Sequence, residues 1–234
     1  MIFRRTRRDD PEAAEDVESV ETGDTGDVED APETSRRDGP WDVSEIDLDE
    51  DSGRVDLGAL LIRGTPGIEL RLQVDEATQA VGAVILVGPE GAVELRPFAA
   101  PRNADIWEDI RTEIAAETAR RGGTATPRDG AYGTELSVSM SARTPEGKPA
   151  TQVSRVLGIR GPRWLLRASF LGKPALEPDA DGVLETALRD VVVVRGSEPM
   201  PPGDPLPLVM PTNAQPIQPP SPPGGPQPGD TSTA

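Results

Sequence analysis

Ile68, Leu70, Leu72 and Val74 alternate with Glu69, Arg71 and Gln73, the period of two expected of a strand with one buried face. A denser apolar run over 81–87 ends at Gly88-Pro89-Glu90-Gly91, and Val93, Leu95 and Pro97 follow. Proline at the second position of that tetrapeptide predicts a turn, and the two runs predict a hairpin. The spacing then changes. Ile106, Trp107, Ile110 and Ile114 recur at helical intervals, so a helix is predicted over 104–121, with Asn103 as its cap and Gly122-Gly123 as its stop. Asp109, Glu113 and Glu117 stack four residues apart on another side, with Arg121 completing the last pair, as on a solvated helix face.

Strand-like alternation returns beyond the helix. Residues 124–126 open it, and Leu136, Val138 and Met140 alternate with Glu135, Ser137 and Ser139. A turn at 144–147 leads to a second predicted hairpin, 152–160 with 163–171, around Gly161-Pro162. On its second strand Trp164, Leu166, Ala168 and Phe170 share one face, and Leu165, Arg167 and Ser169 share the other. Ala180, Val183, Leu184, Ala187, Leu188 and Val191 predict a last helix starting near Asp179 or Asp181. The stretch 191–194 reads as a strand or a buried helix end. The expected class is α+β: an antiparallel sheet with two main helices in β-α-β-α order, flanked by disordered arms.

The charge distribution sets the expected boundaries. The net charge is −17, yet residues 57–196 carry 18 Asp and Glu against 17 Lys and Arg, while residues 1–56 carry 20 against 7. The acidity therefore belongs to the flank, and the middle has no strong field of its own. Residues 1–38 hold few large apolar side chains and are expected to be a disordered acidic arm. The globular domain is expected over 39–196, including an approach segment over 39–56. Thirteen of the 26 prolines lie between Pro199 and Pro228, so 197–211 is expected to be an extended Pro-rich arm and 212–234 a disordered tail. Apolar residues between the prolines of 205–211 would let that stretch dock on the core, or serve as a ligand for an aromatic groove elsewhere.

Composition removes whole classes of chemistry. The chain has no His and no Cys, hence no imidazole base, thiolate nucleophile, disulfide or Cys/His zinc site. Asp47, Asp49 and Asp51 imitate the start of a calcium loop, but Ser52 stands where glycine is needed and Gly58 where the bidentate Glu belongs. No phosphate-cradling glycine loop is present, and no cofactor is expected. Without a basic stripe interleaved with aromatics, no nucleic-acid partner is expected, and no apolar window approaches the ~18 residues of a membrane span. Trp107 and Trp164 sit on apolar faces and are expected in the core. Trp41, in Gly39-Pro40-Trp41-Asp42, is expected to lie mostly buried on its own domain; anchoring a protein partner is the alternative.

Six separated motifs occur in order: Gly39-Pro40-Trp41-Asp42, Arg54-Val55-Asp56-Leu57-Gly58, Phe98-Ala99-Ala100-Pro101-Arg102, Gly133-Thr134-Glu135-Leu136, Gly161-Pro162-Arg163-Trp164-Leu165-Leu166-Arg167 and Val192-Val193-Val194-Arg195-Gly196. On these the chain resembles, over about 39–211, an uncharacterised actinobacterial family whose genes commonly neighbour the dUTPase gene. The resemblance implies a cytoplasmic protein and transfers no catalytic residue. The order of elements is also similar to the PsbP-like sandwich, an analogy of topology that does not fix function. The leading expectation is a non-enzymatic cytoplasmic binding or regulatory module. The alternative is a small-ligand binder or enzyme in nucleotide metabolism, for which Trp41, Asp42, Arg96, Arg102, Arg163 and Arg167 are the candidate partner- or ligand-binding residues. Arg63, Arg96, Arg102, Arg163 or Arg167 gathered around one cavity would favour the ligand reading, since guanidinium forks suit phosphates. Scattered arginines would favour the module.

Overall fold

The computed structural model describes residues 38–48, 53–102, 104–144 and 146–211. Among these residues fourteen elements follow one another, apart from a 3-10 turn at Val43–Glu45: β1 (Trp41–Asp42), β2 (Arg54–Asp56), β3 (Leu60–Arg63), β4 (Glu69–Val74), β5 (Val81–Gly88), β6 (Gly91–Ala99), α1 (Trp107–Arg120), β7 (Thr124–Gly130), β8 (Gly133–Arg143), β9 (Pro149–Arg160), β10 (Trp164–Gly172), then short helices α2 (Lys173–Leu176) and α3 (Val183–Arg189), and finally β11 (Val192–Val193). The class is α+β with antiparallel pairing, as the alternation implied. The pairing makes two sheets rather than one. Seven strands run β4-β5-β6-β10-β9-β8-β7, all antiparallel, and four short ones run β1-β11-β3-β2. Among the described residues the single parallel contact joins β1 to β11, with Trp41 opposite Val192.

Each face of the large sheet has its own core. On one side Val84, Leu86, Val93, Leu95, Leu157, Ile159, Trp164, Leu166, Ala168 and Phe170 pack against Leu57, Leu60, Ile62 and Val193 of the small-sheet region, and against Leu184 and Leu188 of α3. Full burial stabilises each such large side chain by about 1.5–3 kcal/mol. On the other side α1 lays Trp107, Ile110 and Ile114 over Leu136, Val138, Val156 and Leu165. The indole of Trp107 occupies the space above Gly158, where a Cβ would overlap it. The division of β10 into two faces is the one its sequence predicts.

Three boundaries differ from expectation. α1 begins at Trp107, not at 104, because the Asp105 carboxylate accepts the Trp107 N–H at 2.8 Å and holds the preceding turn out of the helix; the expected cap, Asn103, lies outside the described residues. α3 starts at Val183 with Gly182 as its cap and ends at Arg189, so Ala180 and Val191 fall outside it. Val191 to Val193 are instead fully buried, and β11 forms there. Asp49, Asp51, Ser52, Pro145, the predicted N-terminal arm of 1–38 up to residue 37, and the predicted tail over 212–234 lie outside the described residues.

The Pro-rich stretch runs across the rim of the large sheet. Gly203 N–H donates to Ala99 O, Leu206 N–H to Pro97 O and Val209 N–H to Leu57 O, at 2.8–3.0 Å. Leu206 enters the large core and is 2% exposed.

Candidate functional site

Asp42 is a structural carboxylate. Its Oδ1 accepts the Ser44 N–H at 3.0 Å and the Ser44 hydroxyl at 2.6 Å, while its own N–H donates to Glu45 Oε2 at 2.6 Å. These bonds form a capping box around the short turn Val43–Glu45. Oδ2 accepts the buried Trp164 indole N–H at 2.7 Å. The Trp41 N–H donates to Val191 O at 2.9 Å, and its side chain is partly buried. The reason is position: β1 is an edge strand with β11 as its single neighbour. The backbone of this motif is anchored, and its buried side chains are Pro40 and Asp42.

The candidate arginines occupy three places. Arg63 Nε lies 2.9 Å from Asp190 Oδ2, beside Arg54, which holds the other oxygen at 3.0 Å. Arg96 and Arg167 are direct cross-strand partners. Arg96 donates to Glu94 Oε1 and Gln73 Oε1, both at 2.8 Å. Arg167 is 3.8 Å from the same Glu94 oxygen and lies over the Phe98 ring at 5.5 Å. Burial, and then the neighbouring Arg96, pulls the Arg167 pKa down, with Glu94 acting against them. Arg102 lines a hollow of about 10 Å³ with Arg160 and Asp105. That is room for one water at most, since a water needs about 10–15 Å³. Arg163 does not line it; its carbonyl accepts the Ala100 N–H at 3.0 Å. Neither this hollow nor the larger cleft at the β5–β6 turn gathers these guanidinium groups.

A larger cleft opens where the β5–β6 turn meets α2 and α3. It has a volume of about 260 Å³, an apolar floor of Pro89, Pro174, Val183 and Leu184, and a rim of Glu90, Lys173, Glu177, Asp179 and Glu185. Gly172 makes the junction possible: at φ 79° it turns β10 into α2 directly against the Glu90 backbone, where a side chain would collide. Lys173 Nζ binds Glu90 Oε1 at 2.7 Å. This bond raises the lysine pKa, and Glu177 and Asp179 add smaller contributions in the same direction. Glu185 pairs with Arg155 at 2.8 Å, both nearly buried, and the guanidinium stacks over Phe170 at 4.4 Å. Two rim carboxylates, Glu177 and Asp179, are engaged by no ion pair among the described residues.

Close to this pair, Glu135 on β8 is 7% exposed. Burial pushes its carboxyl up, while Arg155 and Arg128 pull the other way. Burial likewise raises the Tyr132 phenol. These groups lack a nucleophile–base arrangement; what the region offers is negative potential above an apolar floor. None of the cleft residues was among the sequence candidates. The signal was present in Glu177, Asp179, Asp181 and Glu185, four acids in nine residues without a Lys or Arg inside an otherwise balanced segment.

Comparison with solved structures gives remote likenesses. A crystal structure from Bacteroides thetaiotaomicron VPI-5482 is 12% identical with a TM-score of 0.33, over 61% of this chain and 48% of that one, so the match spans about half that protein's length. The solution structure of cyanobacterial PsbP (CyanoP) from Synechocystis sp. PCC 6803 is 9% identical with a TM-score of 0.32, over 60% of this chain and 91% of that one. No curated protein matches. Residues 39–216 match the model of a family described as Protein of unknown function (DUF3710).

Proposed function

The chain belongs to that family, and from this premise we propose that its folded part is a non-enzymatic binding or regulatory module that works by contact with a protein partner. One observation carries the reading. The arginines that would build an anion pocket are divided among separate places, with Arg63, Arg96 and Arg167 each beside a carboxylate, while the roomier cavity is lined by acids. A volume of about 260 Å³ also falls below the roughly 300–1,000 Å³ of a small-molecule or cofactor pocket. It suits a side chain. Among the described residues no helix is long and apolar enough to cross a membrane. The cytoplasmic setting, the actinobacterial source and the absence of nucleic-acid partners belong to the proposal as well.

A second reading, a binder of small anions such as nucleotide phosphates or an enzyme acting on them, has one observation in its favour. Arg96 and Arg167 face each other across two strands with one Glu94 between them, and Arg167 Nε is buried without a hydrogen-bond partner. Thermal unfolding of the full chain separates the readings, because a ligand at about 100 times its Kd adds about 2.7 kcal/mol of stability. Inorganic phosphate and nucleoside mono- and triphosphates should leave the midpoint unchanged, and the full chain used as bait should retain a protein partner in stoichiometric amount. A midpoint rise that Arg96→Ser/Arg167→Ser removes would replace the module by the ligand reading.

A further inference from the structure

We infer that the cleft between the β5–β6 turn and the α2–α3 segment is a docking site for a cationic peptide segment of a partner, one that inserts an apolar side chain flanked by Lys or Arg. The inference rests on the module reading above and specifies its contact surface.

Shape gives the first part of the argument. The floor formed by Pro89, Pro174, Val183 and Leu184 is apolar, with Pro89 and Val183 exposed and Leu184 buried beneath them. Among the described residues five large apolar side chains are exposed, and one of them, Val183 at 42%, lines this cleft. An apolar surface of this kind gains by being covered, and a space of about 260 Å³ admits a side chain more readily than a whole cofactor.

Charge supplies the chemistry of the occupant. Four acids and one lysine line the cleft. Glu90 is matched by Lys173 and Glu185 by Arg155, which leaves Glu177 and Asp179 at the mouth outside any ion pair among the described residues, with Lys173 acting on them only at longer range. Asp181, on the same loop, adds a third exposed acid. The loop is held in shape: Gly182 N–H donates to Asp179 O at 2.9 Å, Asp181 N–H to Asp179 Oδ1 at 3.0 Å, and Arg189 Nη1 to Ala180 O at 2.6 Å. The acids are thus presented on a fixed frame rather than on a free tail, which lowers the ordering cost of binding. Anions are repelled from this mouth, and a guanidinium or ammonium next to an apolar anchor complements both its features.

Fluorescence anisotropy with the full chain tests this, using a labelled, capped peptide in which leucine is flanked by two arginines and a second peptide with citrulline in place of both arginines. The arginine peptide should bind, more weakly as salt rises, and the citrulline peptide should bind at least threefold more weakly. Glu177→Gln/Asp179→Asn should reduce affinity for the arginine peptide about two- to thirtyfold, as two exposed ion pairs at about 0.2–1 kcal/mol each imply. The control Asp109→Asn/Glu113→Gln removes the same charge from the exposed side of α1 and should change affinity less than twofold. Equal losses in both double variants would overturn the inference, since the peptide would then be sensing only net charge. So would equal binding of the two peptides, or no binding at millimolar protein. A protein partner that is retained by the full chain and equally by Glu177→Gln/Asp179→Asn would sink the cleft while leaving the module reading in place. A phosphate-induced midpoint rise would remove the module reading itself.

Discussion

Asp42 joins two parts of the chain 122 positions apart, since the acceptor of the Trp164 indole proton is also the cap of the turn that follows β1. Trp164 is completely buried, so loss of the acceptor leaves its N–H unsatisfied, at about 1–3 kcal/mol. The lost cap adds about 1 kcal/mol. Asp42→Ala is therefore expected to lower the unfolding free energy by about 2–4 kcal/mol in a urea titration, and Asp42→Asn, which keeps a carbonyl oxygen for the indole, by less than half of that. Glu135 is the opposite case, a carboxylate whose burial raises its pKa in the folded state. Above the ordinary carboxylate value the unfolded chain has released this proton and the folded chain still holds it, so stability falls as pH rises through that window. Glu135→Gln should accordingly be more stable than the parent at about pH 8, with the difference closing towards about pH 4. Urea titrations at the two pH values check it; an unchanged gap would mean that Glu135 keeps its ordinary pKa.

Among the elements, the rim segment around Leu206 has no ladder of its own. It is held by scattered backbone bonds to Pro97 and Ala99 of β6 and to Leu57 and Ala59, and by the buried side chain of Leu206. Leu206→Ala should cost about 2–5 kcal/mol, the range for a truncated core leucine. Calorimetry of the full chain measures it, and a loss below about 0.5 kcal/mol, the scale of a surface substitution, would show that the segment rests on the core without contributing to it. The link between β9 and α3 is of another kind. Arg155 and Glu185 are both nearly buried, and removing one partner of such a pair leaves an uncompensated charge worth about 3–5 kcal/mol. Glu185 therefore serves the fold first, although it also lines the cleft.

At the scale of the molecule, the two cores on opposite faces of the seven-stranded sheet draw on residues from Leu57 to Leu206. A chain trimmed to residues 38–211 contains every one of them. Its thermal midpoint is expected within about 5 °C of the full chain's, on the order of 1 kcal/mol for a domain of this size. Differential scanning calorimetry of both chains decides it, and a larger fall would mean that residues outside those limits contribute to stability.

Much of this was legible in the sequence because it is a local property. Alternation within β4, β8 and β10 assigns their faces, since successive side chains point to opposite sides of a strand. Helical spacing places Trp107, Ile110 and Ile114 together for the same kind of reason, and the Gly88–Gly91 turn follows from proline and glycine geometry. Other features depend on partners far along the chain, which no local pattern encodes. That Val192–Val193 within 191–194 becomes a strand follows from the arrival of β1 on one side and β3 on the other. The partial burial of Trp41 follows from the edge position of β1, and the role of Asp42 from its meeting with Trp164. The arginines read alike in the sequence, but cross-strand register alone puts Arg96 beside Arg167 and sends Arg63 to Asp190. The acids of 177–185 were visible as a local excess of charge; the cleft they border was not. Local spacing determined the elements and their buried faces, whereas the cleft exists only because tertiary packing brings the β5–β6 turn against α2 and α3, some 90 residues away along the chain.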